Sequence, residues 1–370
     1  MKKVVLFILT LLLVIGLFGC GSNNGNENPE EPPIEENNPN NNGNEENKDN
    51  ENEENKDNDN EGNQEENLVN PFISATGLPL LCAHRGGSTS NPENTLKAYK
   101  YAVDVCEADI LESDVWLTKD NKLVLNHDSS VTRTSDAETY FGRTSNLFVK
   151  DLTLDELRQL NFGYTFKDSK GNKPYSNLVS DVTSAEERSR IVKENDVQIL
   201  TLEELLGYFY AEHKELLFVI EIKNSGTSGF EAAKIINELL IKYPDYSNRL
   251  VVSTFNNDVL EHLKENYPKL LMGAATKDAE TFVKNALFNT AKPDQYEFDC
   301  LQIPVKYALN GQTVDLIDEK LINAAHENNI SVQYWTINDK ATMEKLIALK
   351  CDAIMTDDPY LLRTVLNNAK

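Results

Sequence analysis

From Leu78 onward the chain alternates short apolar strands with amphipathic helices, and this alternation most limits its fold. Apolar runs and period-two patterns predict strands, whereas apolar residues repeating every 3.6 positions predict helices. Eight strands separated by helices are typical of a closed parallel barrel, so we predict an α/β fold, a (β/α)8 TIM barrel. The strands are expected at 80–84, 108–115, 216–223, 250–255, 269–275, 299–305, 330–337 and 352–357. The helices are expected at 94–105, 201–213, 230–242, 257–266, 279–289, 315–328 and 339–349.

The segment from Lys122 to Asn126 also has the composition of a strand, which would add a ninth member to the set. It follows the second strand after only about four residues, whereas a parallel crossover needs a dozen or more. We therefore predict that it folds back on the second strand as the return arm of a hairpin. The hairpin would bring His127 close to Glu112.

Residues 129–200 form a stretch longer than the loops that usually join a strand to a helix. We interpret this stretch as a small insertion after the second strand, at the rim of the barrel, where it would influence substrate choice. Residues 151–160 are expected to be helical and residues 166–180 irregular. Three basic side chains of the insertion could contact a substrate, although solvated loop charges are the commoner case: Arg133, Arg143 and Lys167.

Acidic, basic and imidazole side chains gather within one βαβ-sized stretch near the start of the barrel region. Glu112 and Asp114 are two positions apart on a strand, so both can point toward one cation. Their oxygens suit a hard divalent ion such as Ca²⁺ or Mg²⁺, whereas zinc prefers more nitrogen or sulfur. Histidines such as His84 and His127 transfer protons near neutral pH, and Arg85 offers a planar fork for phosphate. This combination predicts metal-assisted phosphoryl transfer.

Other reactive side chains fall at the carboxyl ends of predicted strands, where barrel enzymes build their active sites. Glu221 and Lys223 alternate at the end of the third strand, so Lys223 could simply neutralise a buried Glu221, or both could serve the site. Trp335 could belong to the core or offer an apolar face to a substrate. Asp357 ends the eighth strand. The remaining histidines lie in predicted helical stretches and are expected to be structural: His213, His262 and His326.

An ordered set of short motifs extends over roughly residues 80–365. No single motif is specific, but their combination and order are. The set resembles that of the glycerophosphodiester phosphodiesterases. Its members are His84-Arg85-Gly86, Pro92-Glu93-Asn94-Thr95, Glu112-x-Asp114-Val115, Thr118-Lys119-Asp120, His127-Asp128, Glu221-Ile222-Lys223, Trp335-Thr336 and Thr356-Asp357-x-Pro359.

The resemblance implies roles for residues whose function the local pattern leaves open. It implies that Glu221 is the third metal ligand, beside the two carboxylates of the second strand, and that Lys223 contacts phosphate. The acid–base histidine pair of the family maps onto His84 and His127. Trp335 would then cover the glycerol carbons of the substrate.

The activity implied by the resemblance is hydrolysis of a glycerophosphodiester to glycerol 3-phosphate and an alcohol such as choline or ethanolamine. Two alternatives remain open: the same fold could act on a lysophospholipid or a wall polymer of glycerol phosphate, or the chain could be a non-catalytic surface binding lipoprotein. Within the motifs, Glu93 and Asn94 are expected only to cap the helix that follows them.

The first 20 residues have a basic start, an apolar run from Val4 to Phe18, and a cysteine after Gly19. This pattern predicts a secretory signal and resembles that of bacterial lipoproteins, with Cys20 as the lipidated residue. Residues 21–70 consist almost entirely of polar and acidic residues and have no periodic apolar face, so we predict a disordered linker. The expected location of the domain at 71–370 is therefore outside the cell membrane, tethered by a lipid.

The net charge of −24 is concentrated in the linker, where residues 21–69 hold 16 acidic and 2 basic side chains. The rest of the chain stays acidic, which argues against nucleic acid as a partner. The membrane would be contacted through the lipid anchor only, and the sequence does not identify a protein partner. The cysteines of the barrel region are expected to be buried thiols rather than disulfides.

Overall fold

The computed structural model describes residues 70–292, 295–309 and 312–370. The predicted signal peptide with Cys20 and the predicted linker, apart from Asn70, lie outside the described residues. None of the described helices combines the length and the apolar content that crossing a bilayer requires.

Eight parallel strands form the barrel that the sequence predicts. In space they follow the order β6-β5-β4-β2-β1-β11-β10-β7, and a parallel bridge between Gly273 and Cys300 joins the two ends of the sheet. Three further strands lie outside this ring. The strands in chain order are β1 Leu80–Ala83, β2 Ile110–Leu117, β3 Leu123–Leu125, β4 Leu217–Ile222, β5 Leu250–Ser253, β6 Leu271–Met272, β7 Cys300–Ile303, β8 Lys306–Leu309, β9 Gln312–Asp315, β10 Ser331–Tyr334 and β11 Ala353–Thr356.

Helices connect the barrel strands and cover their outer faces. Each of the seven predicted helices has a counterpart, but α9 starts later than predicted because 312–315 pairs with 306–309 as a hairpin. The last helix, α11, was not predicted, although Asp358 caps it and Pro359 occupies its first turn. The helices are α1 Leu96–Asp104, α2 Ala137–Phe141, α3 Leu154–Leu157, α4 Ala185–Glu194, α5 Leu202–Phe209, α6 Gly226–Lys242, α7 Asn257–Asn266, α8 Thr276–Leu287, α9 Glu319–His326, α10 Lys340–Ala348 and α11 Pro359–Ala369.

The interior of the barrel is apolar at one end and polar at the other. Alternation along β2 places Ile110 in the apolar part and the two carboxylates further along the same face. Phe72, which precedes the first strand, is fully buried in this apolar cluster and closes the end opposite the carboxylates. The chemically active side chains therefore face a single opening of the barrel.

The predicted hairpin on the second strand is confirmed. β3 pairs antiparallel with β2, with Val115 opposite Leu125. Asn121 in the turn adopts a positive φ of 54°, which asparagine tolerates better than most residues. The chain then continues from Asn126, whose backbone N–H donates to the carbonyl of Asp114.

The insertion after this hairpin has a core of its own. Its helices α2, α3 and α4 enclose buried apolar residues, and α3 is shorter than the predicted helix at 151–160. Residues 166–180 contain no helix or strand, as predicted. Arg188 and Asp136 form a buried ion pair in the insertion, and the Arg188 guanidinium stacks on the ring of Tyr140 at 4.1 Å. The four cysteines that the structure describes are buried free thiols.

Candidate active site

Three carboxylates meet at the carboxyl ends of two neighbouring barrel strands. β2 contributes Glu112 and Asp114, and β4 contributes Glu221, which is the register partner of Asp114. Their ligand oxygens lie within 4.8 Å of one another, and Glu112 and Asp114 are 3% and 1% exposed. The fold thus brings together the three carboxylates that the sequence analysis grouped.

Two basic side chains border this carboxylate cluster. Lys223 Nζ lies 2.7 Å from Glu221 Oε1 and 3.5 Å from Asp114 Oδ1, and Arg85 Nε lies 3.1 Å from Asp114 Oδ2. Burial raises the pKa of Glu112 to about 8, with the charge of Asp114 adding to the rise. Burial and Asp114 likewise raise the pKa of Glu221. The cluster therefore resists full ionisation unless more positive charge is supplied.

The residues of the cluster fit a hard divalent cation. Each offers carboxylate oxygen, the donor that Ca²⁺ and Mg²⁺ take in proteins. The Arg85 Nε–H is buried and has no hydrogen-bond partner, even though Asp114 lies at ion-pair distance. Asp114 therefore receives no hydrogen bond from the Arg85 Nε–H, and its carboxylate oxygens keep lone pairs that can bind a cation.

His84 stands on one flank of the cluster, directly after β1. It begins a short 3-10 turn in which Arg85 adopts a left-handed conformation with φ 54°, and the Arg85 backbone N–H donates to Glu112 Oε2 at 2.9 Å. His84 Nδ1 lies 2.7 Å from Asp357 Oδ1, which follows β11. Burial lowers the pKa of His84, but the hydrogen bond to Asp357 and the charge of Glu112 outweigh burial, so the pKa is raised overall.

His127 stands on another side of the same cavity and is delivered by the β2–β3 hairpin. The indole N–H of Trp116 donates to the His127 carbonyl at 3.0 Å and fixes the backbone there. His127 Nδ1 lies 2.7 Å from Asp128 Oδ1. Both cavity histidines therefore have Nδ1 held by a carboxylate, which leaves Nε2 of each for other partners.

A chain of ion pairs connects the His127 side of the cavity to Arg85. Arg133 donates to both carboxylate oxygens of Glu93 at 2.8 and 2.7 Å, and its Nε donates to Asp128 Oδ2 at 2.6 Å. Glu93 also accepts from Arg85 Nη1 at 3.2 Å. Arg133 is exposed, as the sequence analysis favoured, but it is ion-paired rather than surrounded by solvent alone, because the insertion folds back over the site.

The expected capping role of Glu93 and Asn94 is also wrong. α1 begins after Thr95, whose hydroxyl accepts from the backbone N–H of Ala98. The Asn94 side chain instead accepts a hydrogen bond from the Tyr99 hydroxyl at 2.8 Å. The other two basic residues that the sequence analysis considered as substrate contacts are exposed, as predicted: Arg143 and Lys167.

The predicted site residues line one cavity at the carboxyl end of the barrel, and Asp114 lies buried beside Arg85 and Lys223. Trp335 is in the cavity wall and also packs on the barrel interior, so both of its predicted alternatives apply. Phe255 meets the Trp335 ring edge-on at 5.8 Å and is 52% exposed. Sequence reasoning missed Phe255, although its position two residues after the end of β5 is a signal for a site residue. The cavity-lining residues are His84, Arg85, Glu112, His127, Val219, Glu221, Lys223, Ser253, Thr254, Phe255, Ala274, Gln302, Trp335, Thr336 and Met355.

The remaining histidines lie away from this cavity. His262 lies within α7 and stacks on Phe230 at 4.2 Å. His326 ends α9 and pairs with the buried Asp352 at 2.9 Å. His213 lies beyond the end of α5 rather than inside a helix, which corrects its predicted placement.

The fold and cavity define a class of protein. It is a parallel (β/α)8 barrel whose active-site end combines a carboxylate cluster, two basic side chains and two histidines that are each held by a carboxylate. Residues 84–361 match the model of the glycerophosphoryl diester phosphodiesterase family. The chain belongs to this family, and with it to the phosphoric diester hydrolases.

Individual relatives and solved structures agree with this assignment. The chain is 30% identical over 286 residues to a glycerophosphodiester phosphodiesterase of Caldanaerobacter subterraneus subsp. tengcongensis. The alignment covers 76% of this chain and 96% of that protein. It is 26% identical over 278 residues to one of Bacillus altitudinis, covering 75% and 94% of the two chains.

Two solved structures share the fold at low sequence identity. A glycerophosphoryl diester phosphodiesterase of Silicibacter pomeroyi, so described provisionally, superposes with a TM-score of 0.59 at 16% identity, over 81% of this chain and 97% of that one. A phosphodiesterase of Oleispira antarctica, solved with the product sn-glycerol-3-phosphate, superposes with a TM-score of 0.54 at 22% identity, over 79% and 98%.

Proposed function

We propose that the protein hydrolyses glycerophosphodiesters to glycerol 3-phosphate and an alcohol, with Ca²⁺ or Mg²⁺ bound by Glu112, Asp114 and Glu221. The observation that carries this proposal is the pair of carboxylate-held histidines beside a cluster of three carboxylates in one cavity. Family membership and the product named for the Oleispira antarctica neighbour support the choice of substrate.

The two histidines supply the proton transfers that a phosphodiester needs. With Nδ1–H donated to a carboxylate, each imidazole keeps Nε2 toward the cavity as a base when neutral and an acid when protonated. One of His84 and His127 removes the proton from the nucleophile, which is either water or the glycerol 2-hydroxyl. Attack by the 2-hydroxyl forms a cyclic phosphate, which water then opens to glycerol 3-phosphate. The other protonates the departing alkoxide.

The basic residues of the cavity stabilise the phosphoryl oxygens. A bound divalent cation supplies Lewis-acid stabilisation of the phosphoryl group at the carboxylate cluster. Arg85 and Lys223 already contact the same carboxylates, so a phosphate bound there lies within their reach. Their guanidinium and ammonium groups neutralise the charge that develops on the phosphoryl oxygens. Trp335 and Phe255 cover the carbon skeleton of the substrate.

The test is turnover of a panel of glycerophosphodiesters by the purified protein, with and without a chelator. We expect release of glycerol 3-phosphate that chelation abolishes and that Ca²⁺ or Mg²⁺ restores. Replacement of His84 or His127 by Ala should remove this activity, whereas His326→Gln, outside the cavity, should leave it unchanged. Full activity of a His84→Ala/His127→Ala double variant would end the proposal.

We propose in addition that Cys20 carries a lipid and holds the enzyme on the outer side of a bacterial cell membrane. The support is the pattern of a basic start, an apolar run and a cysteine after Gly19. Cell fractionation tests this idea: the wild-type chain should sediment with membranes, and Cys20→Ala should abolish metabolic labelling with a radioactive fatty acid. Labelling of the Cys20→Ala variant would contradict it.

A further inference from the structure

A pair of neutral side chains continues the carboxylate layer around the cavity wall. Ser253 ends β5 and is the register partner of Glu221, so it lies one strand spacing, ~4.8 Å, from this proposed metal ligand. Its Oγ lies 2.6 Å from Oε1 of Gln302 on β7. Both residues line the cavity.

The backbone after β6, which lies between β5 and β7, leaves space for the Ser253–Gln302 contact. Gly273 follows β6 and lies between Ser253 and Gln302 in the barrel wall. A Cβ at Gly273 would lie 2.3 Å from Ser253 Oγ and 3.1 Å from Gln302 Oε1. A side chain here would displace both polar groups, so the glycine is required for the Ser253–Gln302 pair.

The direction of the Ser253–Gln302 hydrogen bond is fixed by a series of bonds that ends at a backbone carbonyl. The Ser331 hydroxyl donates to the Phe72 carbonyl at 2.7 Å and accepts from Gln333 Nε2 at 3.4 Å. Gln333 Oε1 accepts from Gln302 Nε2 at 3.0 Å, which turns Gln302 Oε1 toward Ser253. An amide oxygen can only accept, so the Ser253 hydroxyl must donate its single proton to Gln302.

The consequence is that Ser253 Oγ presents lone pairs, and no proton, to the cavity. Such an acceptor binds a hydroxyl or N–H donor and does not stabilise a phosphoryl oxygen, which is itself an acceptor. Glycerol bears two free hydroxyls within a few bonds of the ester oxygen, and the acceptor lies one strand from the carboxylate cluster. The chemistry and the spacing both suit a hydroxyl of the glycerol moiety.

We propose that Ser253, oriented by Gln302, forms a subsite that accepts a hydrogen bond from a glycerol hydroxyl and so selects glycerol-bearing diesters. This inference rests on the proposed function and specifies how the same cavity recognises the substrate. Loss of a hydrogen-bond acceptor for a bound hydroxyl reduces binding of that group about tenfold.

The experiment compares glycerophosphocholine with its 1-deoxy and 2-deoxy analogues, each lacking one glycerol hydroxyl, on the wild type and on Ser253→Ala. We expect the wild-type kcat/KM, measured as choline release, to fall about tenfold for one of the two analogues. If the glycerol 2-hydroxyl is the nucleophile, the 2-deoxy analogue is inert with both proteins, and the comparison with the 1-deoxy analogue alone decides. Ser253→Ala should be about tenfold slower than the wild type on glycerophosphocholine and should not distinguish it from that analogue. A partly misfolded preparation lowers all rates by the same factor, so the ratio of kcat/KM values remains informative.

The possible results separate the subsite from the proposed function. If the wild type cleaves glycerophosphocholine and Ser253→Ala keeps the wild-type discrimination between the substrates, the subsite is refuted and the proposed function stands. The same holds if the wild type does not discriminate against either deoxy analogue. If the wild type releases no glycerol 3-phosphate from any glycerophosphodiester, the proposed function is refuted and the subsite with it.

Discussion

Replacing Asp357 by Asn tests whether a carboxylate is needed behind His84. Asp357 Oδ1 lies 2.7 Å from His84 Nδ1, and Oδ2 accepts from Asn338 Nδ2 at 2.7 Å. The side-chain amide of Asn338 cannot flip, because its Oδ1 accepts a hydrogen bond from the backbone N–H of Asp357. The new amide must therefore direct its oxygen to Asn338 and its NH₂ to His84, which places the imidazole proton on Nε2.

The size of the effect follows from the bond that is lost. A hydrogen bond to a charged group contributes about 1.5–3 kcal/mol, and the His84 and Asp357 side chains are 13% and 27% exposed, so solvent screens this bond only in part. A loss of at least about 2 kcal/mol in the transition state corresponds to a kcat/KM lowered at least about thirtyfold, and the proton fixed on Nε2 lowers it further if His84 is the base. The pKa of His84 should also fall, because burial lowers it and Asp357 no longer opposes burial.

The assay is release of glycerol 3-phosphate from glycerophosphocholine between pH 5 and pH 9 with saturating Ca²⁺ or Mg²⁺. For Asp357→Asn we expect the reduced rate together with a shift to lower pH of the limb of the pH profile that His84 controls. This direction holds whether His84 is the acid or the base. His326→Gln, which disrupts another histidine–aspartate pair far from the cavity, serves as the matched control. A wild-type rate with an unmoved pH profile would refute the reasoning.

Three further predictions concern charged residues of the site and of the insertion. Arg133→Met should lower kcat about three- to tenfold with little change in KM or in the free energy of unfolding, because it releases Glu93 and the carboxylate behind His127 from a half-exposed ion pair; an unchanged kcat would exclude this positioning role. In the metal-free protein, the raised pKa of Glu112 stabilises the fold below pH 4.5 and this contribution is lost as pH rises to about 8. The Tm should therefore fall over that range, less so in Glu112→Gln, and added Ca²⁺ should raise the Tm more at pH 8 than at pH 5; equal pH dependence in both proteins would contradict the assignment. Arg188→Met should cost about 3–5 kcal/mol in denaturant unfolding because it leaves a buried carboxylate unpaired, and a loss below about 1 kcal/mol would refute it.

The barrel and its carboxylate cluster could be predicted because both follow from regular periodicities. Alternation along a strand places Glu112 and Asp114 on one face, and parallel strands bring their carboxyl ends to one rim. The hairpin that delivers His127 follows from a connection too short for a crossover. These inferences need only local sequence and the geometry of a closed parallel sheet.

The contacts that hold the histidines could not be predicted in the same way. Asp357 reaches His84 because β1 and β11 are neighbours in the closed ring, with Ala83 opposite Thr356, although 273 residues separate the two side chains. The ion-pair partners of Arg133 could not be predicted because they depend on how the insertion folds over the barrel. That fold is set by packing among short helices, for which the sequence offers no long periodic pattern.

The charges around the cavity explain why the insertion and a cation are both needed for the proposed chemistry. Three basic residues face six carboxylates here, so the described cluster is negative before either histidine is protonated. A phosphodiester is itself an anion, and an unbalanced cluster of carboxylates would repel it. Arg133 from the insertion pairs with two carboxylates outside the proposed metal site, those of Glu93 and Asp128, and offsets one of their two charges, so Glu93 competes less for Arg85. Three of the six carboxylates share one cation-sized space, so a divalent cation there would lower the net charge of the fully ionised cluster from −3 to −1 and reduce the repulsion of an anionic substrate. The six carboxylates are those of Glu93, Glu112, Asp114, Asp128, Glu221 and Asp357.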